Sequence, residues 1–157
     1  MTPYKDHAAQ FLTTVFGNVH DDQFMSFWTQ PDRRTWCFPK SDLKTMIAAA
    51  IALQDDRDVY FGVGTSTKEL PHNKRPKAKE ISAIPGAWIE IDMAVPGAHA
   101  KQNLPKTIEE ALSIVPDFLQ PTLIIGSGNG LHLYWLFKNP WYFKAYPWRK
   151  GGMSNEQ

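Results

Sequence analysis

Ala87-Trp88-Ile89-Glu90-Ile91-Asp92-Met93 (AWIEIDM) and Leu131 to Lys138, which follows Pro121 to Gly126 across Ser127-Gly128-Asn129-Gly130, decide the reading of this chain. In the first stretch apolar and acidic residues alternate with the period of two that marks a half-buried strand. Pro121–Gly126 and Leu131–Lys138 are short apolar runs joined by glycines, which reads as a hairpin. Between these strands, Thr107 and Glu110 form a capping box that opens a helix over 108–114 or a little beyond, limited by Pro116. Working outward, Tyr4 to Phe16 has helical apolar spacing and stops at Gly17-Asn18. Phe24–Thr29 and Arg34–Phe38 read as a second hairpin, Ser41 caps a helix over Leu43–Gln54, and Asp58–Gly64 is a strand. The order is αββαβ and then βαββ. Helices and strands mix without strict alternation, so the expected class is α+β with a mostly antiparallel sheet.

The composition bounds the function. With 157 residues the chain suits one domain, organised here as an N-terminal αβ lobe (1–64), a motif-bearing sheet (80–138) and a tail (139–157). A chain of this length buries roughly 70% of its unfolded surface and needs no staple. The single cysteine, Cys37, excludes a disulfide framework and a cysteine-built zinc site, and fits a reducing cytoplasm. Net charge is +1, so any basic character is local. The longest apolar run, Met46 to Leu53, is too short to cross a bilayer, and the N-terminus lacks the pattern of a signal peptide. Aromatic residues make up 13%, with six Trp, which read as core filling more readily than as base-stacking platforms.

Two places can carry chemistry. Alternation puts Glu90 and Asp92 on one face of their strand, with Ile89, Ile91 and Met93 on the other. Their Cα atoms lie about 6.6 Å apart, twice the rise per residue. Carboxylates at that spacing repel by about 2.5 kcal/mol at an effective dielectric of 20 and by about 0.6 in water. In a cleft, a divalent cation turns that repulsion into chelation, and oxygen donors suit Mg²⁺ or Mn²⁺. On an open sheet the pair is simply the solvated face of an edge strand. The second place is Ser127-Gly128-Asn129-Gly130-Leu131-His132. Its plain reading is a tight hairpin turn with His132 satisfied on the sheet. Its functional reading is an anion cradle: glycines let backbone N–H groups approach a phosphate, and Ser127 and His132 flank it. Alternation sets His132 and Tyr134 on one face.

The order VYFGVG (Val59–Gly64), AWIEIDMAVPG (Ala87–Gly97), LPKTIEEAL (Leu104–Leu112) and PTLIIGSGNGLHLYWLF (Pro121–Phe137) resembles the archaeo-eukaryotic primase superfamily, and within it the primase-polymerase domains of plasmids, phages and other mobile elements. The matching stretch, Val59 to Phe137, is about half the chain. The resemblance implies an RRM-like, mostly antiparallel sheet with helices on one face beside a small N-terminal αβ lobe. It implies a metal-dependent nucleotidyltransferase for DNA replication. Glu90 and Asp92 fall where that family holds catalytic Mg²⁺ or Mn²⁺. Ser127, Gly128, Asn129, Gly130 and His132 fall where it binds the phosphates of an incoming nucleoside triphosphate, and His132 is also counted among the catalytic residues. The implied partners are nucleoside triphosphates, single-stranded DNA or primer-template, and a helicase or further domain; no membrane is implied, and self-association is compatible.

The sequence also departs from that family. Glu90 stands where Asp is usual. The family places a third carboxylate downstream of the histidine, whereas the only acid after His132 is Glu156. That reads as a domain truncated after its second motif. Because in-line displacement on two metals needs both ions held, a non-catalytic nucleotide- or nucleic-acid-binding replication accessory is the alternative reading. Lys68, Lys74, Arg75, Lys77 and Lys79 form a basic loop among Pro71, Pro76 and Asn73. It reads either as a solvated loop or as a nucleic-acid contact, with Lys74, Arg75 and Lys77 the candidates. His99 is a surface histidine or a third ligand. Trp141, Tyr142, Phe143, Tyr146 and Trp148, with Lys138, Lys144, Arg149 and Lys150, either stack on single strands or face a missing lobe.

Overall fold

The computed structural model describes residues 3–97 and 103–143. The order is α1 (Pro3–Phe16), β1 (Phe24–Gln30), β2 (Arg34–Pro39), α2 (Leu43–Leu53), β3 (Asp58–Phe61), β4 (Ala83–Asp92), α3 (Ile108–Leu112), β5 (Leu123–Gly126) and β6 (Gly130–Tyr142). The class is α+β. Its strands form two three-stranded sheets, ordered β2-β1-β3 and β4-β6-β5. The chain divides into two compact units, Met1–Pro85 with Lys138–Gln157, and Gly86–Phe137.

In the first unit, β1 pairs antiparallel with β2 on one side (Phe27 opposite Trp36) and with β3 on the other (Trp28 opposite Tyr60). One face carries Phe27, which stacks on Trp36 and Phe38, and it is the side that meets the helices, where Phe11 of α1 stands edge-on to Phe61 at 5.0 Å. The basic loop covers the other face. Thr35 donates its backbone N–H to the His72 carbonyl at 2.6 Å and its hydroxyl to the Lys74 carbonyl at 2.6 Å. The Leu70 N–H reaches the Cys37 sulfur at 3.4 Å. These bonds hold the loop on the sheet instead of leaving it in solvent. Buried Gln23 accepts from the Thr65 hydroxyl at 3.0 Å and the Ser82 hydroxyl at 2.5 Å, tying β1's entry to the segment before β4.

Several boundaries differ from the sequence reading. The cap of α2 is Asp42, which accepts from Thr45 N–H at 3.4 Å, because Ser41 is taken up in a 3-10 turn over Lys40–Asp42. β3 ends at Phe61, not Gly64, although the Gly62 N–H still donates to the Ser26 carbonyl at 2.8 Å, in register with β1. β4 begins at Ala83, which bridges to Thr65. α3 stops at Leu112, short of residue 114. β5 begins at Leu123, two residues after Pro121. β6 runs to Tyr142, past Lys138 and through buried Pro140. Its last residues are anchored: His20 stacks on Tyr142 at 4.2 Å and donates its N–H to the phenol oxygen at 2.7 Å, and the Phe143 N–H reaches the Ser82 carbonyl at 2.7 Å. So residues 139–143 are not tail. Lys144, Tyr146, Trp148, Arg149, Lys150, Glu156 and His99 lie outside the described residues. The core reading of the Trp residues holds for Trp28, 8% exposed, but not for Trp88 at 50% or Trp141 at 63%.

In the second unit β6 lies between β4 and β5. β6 pairs antiparallel with β5 (Ile125 opposite His132, Leu123 opposite Tyr134). Against β4, Gly86 meets Trp135 and Gly130 meets Ile91, so that pairing is antiparallel as well. β4 and β5 are therefore parallel, joined through α3 with β6 inserted between them, a split β-α-β connection. The core is Ile91, Ala111, Val115, Leu131 and Leu133, with Met93, Leu112 and Trp135 packed on it, so α3 covers the apolar face that alternation assigns. A five-residue helix spans only about 7.5 Å, and Ile89, of the same parity, stays 42% exposed. Among the described residues no helix is long and apolar enough to cross a membrane.

Candidate functional site

The face of the second sheet away from α3 carries the residues singled out by the sequence. Glu90 on β4 and His132 on β6 meet across the strand pair, with Glu90 Oε1 3.3 Å from His132 Nε2. Side-chain exposure is 63% for Glu90 and 35% for His132, so the contact sits at the sheet surface, open to a ligand. An exposed pair of this kind stabilises the fold by about 0–1 kcal/mol. Its larger effect is orientation, because a carboxylate on one ring nitrogen selects the tautomer and holds the ring plane.

Tyr134, two residues on and 3% exposed, shares this face. Burial, and after it the negative charge of Glu90, pushes its phenol above the ordinary value near 10. Alternation gave Tyr134 its face, but no signal in the sequence marked it as a neighbour of Glu90. That depends on the register of β6 against β4.

The glycine turn is pinned to the end of the acidic strand. The Met93 N–H donates to the Asn129 carbonyl at 3.0 Å. Gly130 lies so close to β4 that a Cβ there would overlap the Ile91 carbonyl oxygen and stand 3.2 Å from Asp92 Cα. Half-buried Asp92, of Glu90's parity, thus sits where the turn crosses its strand. The turn is centred on Gly128-Asn129. Gly128 has φ +88°, and positive φ at the first central position alone is the type II′ pattern. Ser127 closes the turn, donating both its N–H (2.9 Å) and its hydroxyl (3.1 Å) to the Gly130 carbonyl. Its hydroxyl proton is therefore engaged inside the turn, leaving the oxygen lone pairs outward as acceptors.

The structure thus brings Glu90, Asp92, His132 and the 127–130 turn to one end of one sheet. Among the described residues no group of three or more His, Cys, Asp and Glu side chains is arranged to hold a metal. The donor set that is present, two carboxylates of one parity, suits Mg²⁺, which takes one or two protein carboxylates and fills its shell with water and phosphate oxygens. Lys74, Arg75 and Lys77 belong to the first unit. There the Arg75 guanidinium lies over Trp28 and Tyr60, the Lys74 carbonyl accepts from Thr35, and the Lys77 N–H caps onto Glu80 at 2.7 Å. Comparison with known protein families, with curated proteins and with solved structures finds no match.

Proposed function

We propose that the chain is a nucleotidyltransferase domain of the primase-polymerase kind, acting in DNA replication, with the end of the β4-β6-β5 sheet as its nucleotide site. The observation that carries the reading is the contact between Glu90 and His132 on the face where Asp92 and the glycine turn also converge. Glu90, through its second oxygen, and Asp92 would hold Mg²⁺ or Mn²⁺. That ion supplies charge neutralisation of the triphosphate and lowers the cost of forming the attacking oxyanion. His132, oriented by Glu90 through Nε2, presents its Nδ1 edge to a phosphate oxygen. The turn backbone, held by the Met93–Asn129 bond, offers N–H groups to the same triphosphate. The chain's contribution is positioning and charge complementarity more than proton transfer.

A specific observation favours the accessory reading as a second choice. The described residues bring only two carboxylates to the site, and a two-ion displacement uses more. A thermal-shift titration separates the readings. Mn²⁺ with a nucleoside triphosphate at 100 times its dissociation constant stabilises by about 2.7 kcal/mol, or about 5–10 °C for a chain of this size. Asp92→Asn should abolish that rise. A rise that survives Asp92→Asn, or no rise at all, overturns the metal-dependent nucleotide site. Stabilisation by single-stranded DNA with no rise from Mn²⁺ and the nucleoside triphosphate supports the accessory module. Primer extension then reports whether the bound nucleotide reacts.

A further inference from the structure

The first unit holds a second candidate site, on the sheet face opposite α1 and α2. Ser26, Trp28, Tyr60, Gly62, Arg75 and Pro76 are among the residues that line a solvent-open pocket of about 170 Å³. A cavity of about 150 Å³ accommodates one benzene ring, so this pocket suits a single small ring system. Its walls are built for a flat π-system. Tyr60 is 51% exposed and lies directly across from Trp28 in the β1–β3 register. The Arg75 guanidinium stands 5.2 Å from the Trp28 ring centre and 5.7 Å from that of Tyr60, within cation–π range of both. The indole N–H of Trp28 is buried and has no partner among the described residues, a state that native structures rarely leave unexplained. Around the mouth, Pro71 to Lys79 carries Lys74, Arg75, Lys77 and Lys79 and no acid, and all four cations are exposed.

We infer that this pocket binds one unstacked base of a single-stranded nucleic acid. Tyr60 and the Arg75 guanidinium supply the stacking surfaces. Lys74 and Lys77 meet the flanking phosphates. The inference shares with the proposed function only its class of partner: it needs neither a metal nor chemistry at Glu90 and Asp92. Aromatic wall, ring-sized volume and local positive charge together define a single-strand stacking platform, whereas an anion site alone would need no ring.

The test is fluorescence anisotropy with a labelled 12-nucleotide oligo(dT) and an abasic 12-mer of equal phosphate count, in EDTA so that no divalent ion takes part. The native chain should bind oligo(dT) about 5- to 150-fold more tightly than the abasic strand, the range expected for one base–aromatic stack. Tyr60→Ala should remove most of that preference and Tyr60→Phe should restore it. Lys77→Gln should weaken both strands equally and flatten the salt dependence by about 0.7 in the log–log slope. Equal affinity for the two strands, or a preference unchanged in Tyr60→Ala with its melting temperature intact, overturns the inference. Because EDTA silences the Asp92-dependent nucleotide shift, the two readings fail separately.

Discussion

The glycine turn offers the sharpest test of what its residues are for. A Cβ at Gly130 would overlap the Ile91 carbonyl oxygen and press on Asp92 Cα at 3.2 Å, and both neighbours are strand backbone that cannot step aside. At Gly126, on the other flank of the turn, a Cβ meets nothing within 4 Å. Gly128 is open too, but its φ of +88° disfavours any side chain. Gly130→Ala should therefore cost about 1–3 kcal/mol, the usual penalty of overpacking, and lower the melting temperature by about 2–12 °C. Gly128→Ala should cost about 1–2 kcal/mol through backbone strain alone. Gly126→Ala should stay within about 0.5 kcal/mol of the native chain. Calorimetry on the three variants gives the order, and binding of Mn²⁺ with a nucleoside triphosphate to each variant gives the functional column beside it. If Gly130→Ala melts with the native protein, β6 does not approach β4 as closely as described, and the placement of the turn at Asp92 goes with it. If Gly126→Ala is as costly as Gly130→Ala, the steric explanation fails.

Two further outcomes follow from charge and burial. Tyr134 should titrate above the ordinary phenol range, and Glu90→Gln should bring it part of the way back, because the carboxylate is removed while burial remains. A phenol raised in the folded state stabilises fully below the unfolded value near 10 and less as pH climbs through the folded one; removing the Glu90 charge removes part of that alkaline loss, so alkaline unfolding should come at slightly higher pH in Glu90→Gln. Ultraviolet difference titration of phenolate formation checks this, and an unmoved Tyr134 in the variant would refute the proximity. Gln23→Leu removes the acceptor shared by the Thr65 and Ser82 hydroxyls in a residue only 2% exposed. It should cost about 2–3 kcal/mol, or about 4–12 °C, since Ser82 retains the Thr65 carbonyl at 3.2 Å while Thr65 loses its partner. A melting temperature within 1 °C of native would count against a buried bond there.

Much of the fold was legible because it rests on local period. Alternation in Trp88–Met93 and Leu131–Trp135 assigned the faces, and the core of Ile91, Met93, Leu131, Leu133 and Trp135 follows that parity. The Thr107 cap is where the capping pattern puts it, with Glu110 N–H on the Thr107 hydroxyl at 3.1 Å. Strand ends were less legible, since β3 stops at Phe61 although its apolar run continues to Gly64, and Pro140 stays within β6 by context, not propensity. The site divides the same way. That Glu90, Asp92, His132 and Tyr134 share a face could be read from parity once the strands were adjacent.

What the chain's own order determined is therefore the α+β class, the helix and strand periods, and the side each residue of β4 and β6 shows. What only the tertiary structure decided is register and neighbourhood: Glu90 beside His132, Gly130 against Ile91, and the basic loop laid over Trp28 and Tyr60. Period is a property of consecutive residues, whereas register is set by closing loops of tens of residues and by backbone approaches that a glycine permits and a Cβ forbids, and no local pattern encodes those.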